Sequence, residues 1–196
     1  MTIDIPSMPP QLQERVVCSI IASIHYDVPA NILLAIAEKE NGKPGQWVEN
    51  TNGTHDVGAM QFNTSYINTL TTKYGITAEH VANAGCYPYD LAAWRIHGHL
   101  IKDQGDIWTR AANYHSRTPY YNSIYKVDLI KRANKWAAWL DEIFAGNTKK
   151  MTDVVANAVT NLEKATKKKQ ESADLPSAKT YVPRSVFVKR RNDDGS

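Results

Sequence analysis

Apolar positions return every three or four residues through most of the chain, the pattern of helices packed on a shared core. Over residues 11–26, Leu12, Val16, Ser19 or Ile20, and Ser23 or Ile24 share a face, so a first helix is expected there. Asp27-Val28-Pro29 interrupts it, and Pro29 suits the opening turn of a second helix that runs to about Glu40 and stops before Asn41-Gly42. From Asn41 to Gly58 the helical period gives way to Gly, Asn, Thr and Pro, a loop-forming insert with room for short strands. The period resumes over Phe62–Tyr74, closed by Gly75, then in a short piece over Thr77–Asn83 and in a long helix over Asp90–Gln104, closed by Gly105. Asp106 stands where it would cap a helix carrying Trp108, Ala111, Ala112 and Tyr114. After a break at Ser116–Pro119, a last helix is expected over Tyr121–Phe144, with Ile124, Val127, Ile130 or Lys131, Ala133 or Asn134, Ala137 and Leu140 on its apolar face. The pattern predicts a mainly α fold, α+β at most through short strands in the 41–58 insert.

Past Gly146 the character of the chain changes. All five Trp and every Tyr but Tyr181 lie before that point, so the core belongs to residues 11–146, with 1–10 as an N-terminal extension and 147–196 as a tail. Residues 1–146 carry 12 Lys/Arg against 14 Asp/Glu, whereas the tail carries 11 against 6. A weakly acidic body with a basic tail suggests either a solvated tail or one that meets an anionic surface or polymer. Met151–Lys167 shows an apolar stripe that fits an amphipathic helix, and the Lys-, Ser- and Pro-bearing remainder has no period. No run reaches the roughly 18 apolar residues of a membrane span. The first ten residues lack a basic start followed by an apolar run, so no signal peptide is expected. Two cysteines, Cys18 and Cys86, allow one disulfide or two free thiols.

The second helix ends in the most suggestive residue. Leu33, Ile36 and Ala37 share its apolar face, and Glu40 sits on that face one turn further on, while Glu38 falls to the side. A carboxylate on an apolar face is costly when ionised, so its pKa rises, which is what a general acid needs near neutral pH. A charged residue closing a helix at the water boundary is the plainer explanation of Glu40 taken alone. The segment Asn50-Thr51-Asn52-Gly53-Thr54-His55-Asp56-Val57-Gly58-Ala59-Met60-Gln61-Phe62-Asn63 adds amides and hydroxyls that match sugar groups, and glycines that admit a close backbone.

Three stretches in this order carry a resemblance. They are Leu33-Leu34-Ala35-Ile36 leading into Glu40-Asn41-Gly42, then Asp56-Val57-Gly58-Ala59-Met60-Gln61-Phe62-Asn63, then Ala111-Ala112-Asn113-Tyr114-His115-Ser116 with Thr118-Pro119. Over residues 12–140 the chain resembles the lytic transglycosylases of lysozyme-like fold, in particular the small cell-wall-opening members of conjugation and type IV secretion systems and of some phage particles. The resemblance implies that Glu40 is the single catalytic acid/base. It implies that Gly58, Met60 and Gln61 belong to a glycine-any-Met-Gln signature lining the glycan groove, with Asn63 as its following polar residue, and that Tyr114 lies near the catalytic carboxylate. The chain departs from the commonest form where Asn41-Gly42 stands in place of Glu-Ser, and the conjugation-type members accept Gly there.

What the resemblance implies for chemistry is cleavage of the β-1,4 bond between N-acetylmuramic acid and N-acetylglucosamine, with a 1,6-anhydro product, no cofactor and no metal. The partners implied are peptidoglycan strands and a secretion, conjugation or virion assembly reached through the basic tail; no specific nucleic acid and no membrane span are expected. The setting implied is the periplasm or cell envelope, or a virion. Asp56 keeps two alternatives open: it holds a water for lysozyme-type hydrolysis, or it braces the loop before Gly58. A third alternative is an inactive wall-binding subunit. Related members also tend to carry cysteines at the places of Cys18 and Cys86, which implies a disulfide between them, the rival being two buried thiols. His115 is a weak cleft candidate, and Trp47 is a better sugar-stacking candidate than Trp94, Trp108, Trp136 or Trp139, which sit on helical faces.

Overall fold

The computed structural model describes residues 8–146 and Thr160; the amphipathic stripe at 151–167 and the unpatterned tail lie otherwise outside the described residues. The chain divides into two units, Met1–Val159 and Thr160–Ser196. The described body is mainly α-helical, with seven helices and one small antiparallel sheet. Helices α1 (Pro10–Tyr26) and α2 (Ala30–Glu40) are followed by strands β1 (Trp47–Glu49), β2 (His55–Val57) and β3 (Phe62–Asn63). Then come α3 (Thr64–Tyr74), α4 (Ala78–Ala82), α5 (Tyr87–Lys102), α6 (Ile107–Ala112) and the long α7 (Pro119–Gly146).

Helix α2 is the centre of the body. Residues 32–37 are all buried, and α2 packs against α1, α5 and α7. A helix apolar on every side is stable only when it is surrounded. Its neighbour α1 buries Val16, Val17, Cys18, Ser19, Ile20, Ala22 and Ser23, while Ile24 is exposed, so the small hydroxyl residues lie inward where close helix approach needs them. Met8 joins Val16, Ile20, Leu34 and Leu140 in a core cluster edged by Leu12, Ala30, Trp136 and Trp139, so the body begins before residue 11. Cys18 and Cys86 form a disulfide across 68 residues, tying the middle of α1 to the residue that opens α5.

The sheet has the order β1-β2-β3 and pairs Trp47 with Val57, Glu49 with His55, and Val57 with Phe62. Phe62 and Asn63 therefore close the sheet instead of opening a helix. Asn63 caps α3 through its side-chain oxygen, which accepts from Ser65 N at 3.0 Å. Helix α5 starts at Tyr87, three residues before Asp90, because Pro88 fits its first turn; it ends at Lys102, where Asp103 turns extended. Asp106 caps α6 as expected, accepting from Thr109 N at 2.7 Å. Pro119 likewise starts α7 early.

The inward face of α7 agrees with the expected one at Ala133 and Leu140 but differs from it in the first turns. Asn122, Tyr125, Leu129, Ala133 and Leu140 are buried, whereas Ile124 and Val127 are exposed. The buried polar residues have partners that offset their desolvation. The Asn122 amide donates to Thr109 O, Asn113 Oδ1 and Ser116 O, and Tyr125 reaches Glu40.

Candidate active site

Glu40 is the last residue of α2 because Asn41 takes a left-handed conformation (φ 46°), with its N–H returning to Ala37 O. Arg15 holds Asn41 in place by donating to its side-chain oxygen at 2.9 Å. The two residues before Glu40 are committed elsewhere. Glu38 accepts from Arg132 and from the Trp136 indole, each at 2.7 Å, and Lys39 pairs with Asp128 at 2.7 Å. These contacts fasten the end of α2 to α7 and leave Glu40 with no ion pair among the described residues.

The direct partner of Glu40 is Tyr125, whose hydroxyl donates to Oε1 at 2.6 Å. Burial pushes the Glu40 carboxyl up to about 7, against the opposing pull of the Tyr125 hydrogen bond and the Lys39 charge. Asp56 adds a further upward push and Arg95 a downward one. Tyr125 itself is raised well above the ordinary tyrosine range, by burial first and by the Glu40 charge second, so it stays a donor near neutral pH. Glu40 is thus a carboxyl poised near half-ionisation, with one fixed donor on it.

Against Gly42, two residues past Glu40, lies the turn from Gly58 to Gln61. Gly58 has φ 73°, and a Cβ on it would stand 2.2 Å from Val81 O. A Cβ on Gly42 would stand 2.1 Å from Gly58 O and 2.7 Å from Gln61 Nε2, so the residue two beyond Glu40 has no room for a side chain. Gln61 also has positive φ (49°), and its amide donates to Gly58 O at 2.8 Å, which closes the turn on itself. Met60 has no accessible surface, and its carbonyl accepts from the Tyr114 hydroxyl at 2.8 Å. Gly58 and Met60 therefore shape the turn from inside, and of the signature only Gln61 keeps accessible surface.

Tyr114 lies near Glu40 as expected, close enough to feel its charge, but does not bond to it. It is buried, and its hydroxyl is used on Met60 O, so the tyrosine bonded to Glu40 is Tyr125. Arg95 lies between two tyrosine rings, 4.6 Å from the Tyr114 centroid and 4.2 Å from that of Tyr66. Asn63 donates to both Thr54 Oγ1 and Asp56 Oδ1 at 2.9 Å besides capping α3, so its amide ties the hairpin to the helix. The same bond holds Asp56, which favours the bracing part over the water-holding one.

A cleft of about 260 Å³ opens over Glu40, lined by Lys39, Glu40, His115, Tyr121, Ile124 and Tyr125. The His115 ring stacks on Tyr125 with centroids 4.8 Å apart and planes 7° from parallel. Burial and then the Lys39 charge lower its pKa, which favours the neutral ring. Trp47 is half exposed on β1, edge-on to His55, whereas Trp136 and Trp139 pack on the core and Trp94 meets Tyr74. Of the other histidines, His80 accepts from Thr77 N, buried His99 pairs with Asp103 at 2.7 Å, and His25 lies 4.0 Å from Asp90. Sequence reasoning missed Tyr125 and Tyr121 as site residues and took Ile124 for core; Tyr125 lay off the face that the apolar spacing chose, so no sequence signal pointed to it. No protein-family model matches the chain, and no curated protein matches it significantly.

Proposed function

We propose that this protein cleaves peptidoglycan glycan strands as a lytic transglycosylase, with Glu40 as acid and then base. The observation that carries the reading is the Glu40 carboxyl held near pKa 7 in a cleft, bonded to Tyr125 and paired with no cation among the described residues. A general acid works best when its pKa lies near the working pH. The helical body with a small antiparallel sheet just after the Glu40 helix accords with a lysozyme-like fold.

Protonated Glu40 donates to the glycosidic oxygen as the C1–O bond breaks and an oxocarbenium-like sugar forms. The substrate's own acetamido oxygen stabilises that charge. Glu40, now a carboxylate, takes the proton of the muramic acid C6 hydroxyl, and that oxygen closes onto C1. The product is a 1,6-anhydro sugar, formed without water, and Glu40 ends protonated as it began. Tyr125 serves the second half, since its hydrogen bond favours the carboxylate form. A disulfide persists in oxidising compartments, which accords with work in the cell envelope or on a virion.

The test is digestion of purified sacculi followed by mass analysis of the products. Anhydro-muramyl ends from the parent protein, and none from folded Glu40→Gln, are expected. Reducing muramic acid ends would assign hydrolysis instead, and cleavage retained by Glu40→Gln would remove Glu40 from the chemistry.

A further inference from the structure

We propose that Tyr121 and Ile124 form an apolar platform, beside Glu40, for the C–H face of the pyranose ring adjoining the scissile bond. The inference rests on the glycan-cleaving reading and deepens it by naming a subsite. Its starting point is the outward face of α7. Tyr121, Ile124 and Val127 follow one another at helical spacing, and they are 56%, 57% and 71% exposed. Large apolar side chains grouped on one exposed stripe mark a surface that meets something.

Only the first part of the stripe belongs to the cleft. Tyr121 and Ile124 line it together with Glu40 and Tyr125, and Val127 does not. The remaining lining is polar: Lys39, Glu40 and His115. A pyranose ring has that same division, with hydroxyls around its edge and C–H bonds on its faces. The apolar side of the cleft suits a ring face, and the polar side suits ring-edge hydroxyls and the glycosidic oxygen. The size agrees, because about 260 Å³ falls below the roughly 300–1,000 Å³ that encloses a drug-sized molecule and suits one ring of a strand. Tyr120 meets Tyr121 edge-on, with centroids 5.2 Å apart and planes at 76°, which restrains the Tyr121 ring.

Binding and cleavage test this separately. In full-length Glu40→Gln, the probe is the β-1,4 tetramer of N-acetylglucosamine, titrated by calorimetry. Tyr121→Ala is expected to weaken binding about three- to tenfold, the range for one aromatic contact. Ile124→Ala should weaken it about two- to fivefold, and Val127→Ala should leave it within twofold. Tyr121→Phe should bind like the Glu40→Gln background, because the ring face and not the hydroxyl makes the contact. With Glu40 restored, Tyr121→Ala should raise KM on glycan strands by a similar factor and leave the alkaline limb of the pH profile in place. A tetramer that binds equally with and without Tyr121, or does not bind at all, overturns the platform. Failure of the catalytic reading shows elsewhere: the parent chain, with its platform intact, would bind the tetramer and produce no anhydro ends.

Discussion

The Tyr125 hydroxyl bonds Glu40 Oε1 at 2.6 Å from 85 positions away in the chain, so the last helix of the body sets the proton affinity of a carboxyl on the second. Burial raises that carboxyl to about 7, and the tyrosine opposes the rise. Glycan cleavage that begins with a protonated Glu40 should therefore fall tenfold per pH unit above about 7. Tyr125→Phe removes the group that favours the charged form, so the alkaline limb should move upward. Its rate below pH 6 should drop by roughly ten- to a hundredfold, as expected for a lost hydrogen bond to a charge worth about 1.5–3 kcal/mol. The pH dependence of kcat/KM for both proteins checks this. An unmoved limb would mean that Glu40 is not the group being titrated.

The same shift is a statement about stability. Glu40 binds its proton more tightly in the folded chain (about 7) than an ordinary exposed glutamate does (4.5), so the folded state holds more protons between those values. Stability therefore declines as pH rises through that window, and the loss is complete above pH 7. The shift corresponds to roughly 3 kcal/mol at full burial, and partial access of Glu40 to solvent reduces this to about 2 kcal/mol. Glu40→Gln has no proton to lose. Its stability relative to the parent should rise by about 2 kcal/mol between pH 4 and pH 8 in urea unfolding. A constant difference across that range would contradict the raised pKa.

Glu38 offers the contrast on the same turn of helix. It accepts from Arg132 and Trp136 outside the cleft, fastening α2 to α7. Glu38→Gln should keep most of the cleavage activity and cost about 1 kcal/mol of stability, as a partly exposed ion pair does. Activity lost together with a native melting curve would place Glu38 in the chemistry.

The helices and the position of Glu40 were legible in the sequence because they follow from local spacing. Leu33, Ile36 and Ala37 repeat at the helical period, and Asn41-Gly42 is a stop signal. The loop identity of 41–58 was equally local. The partner of Glu40 was not, because it depends on which face of α7 turns inward. Counting apolar residues chose Ile124 and Val127, while packing buried Asn122 and Tyr125, whose polar atoms find partners only in three dimensions. Tyr114 lies near enough to Glu40 to feel its charge, as the resemblance implies, but its hydroxyl is held by the Met60 carbonyl, a contact that no spacing reveals. The two-residue strand β3 was hidden for a similar reason: Phe62 and Asn63 continue the period of α3, and only pairing with Val57 and Asp56 removes them from it.

Gly58 carries a sharper structural expectation. An alanine there meets a left-handed φ of 73° and the Val81 carbonyl at 2.2 Å, so both the turn and α4 must shift. Gly58→Ala should cost about 3 kcal/mol or more, combining backbone strain with a backbone clash. Since Gln61 and Met60 hang from this turn, cleavage should fall as well. A thermal melt within two degrees of the parent would show that the turn relaxes freely.

The disulfide is the longest covalent reach in the described body, and its effect should be large. Cys18 lies in the middle of α1, which packs on both α2 and α5, and Cys86 opens α5. The bridge closes 68 residues, a span that holds α2, the sheet, α3 and α4, and therefore Glu40. In the chain-entropy account a loop of that size restricts the unfolded ensemble by about 4 kcal/mol. Because the bridge acts mostly on the unfolded chain, the cleft should survive its loss. Cys18→Ser/Cys86→Ser is expected to melt about 10–15 °C below the oxidised parent, while its initial cleavage rate at low temperature stays within about threefold. Reductant should bring the parent to the same lower melting point and leave the double variant unchanged. Equal melting points with and without reductant, in protein shown by thiol counting to hold the bond, would place the stabilisation elsewhere. A collapse of activity in a variant that still melts cooperatively would mean that the bridge positions Glu40 directly and does more than stabilise the fold around it.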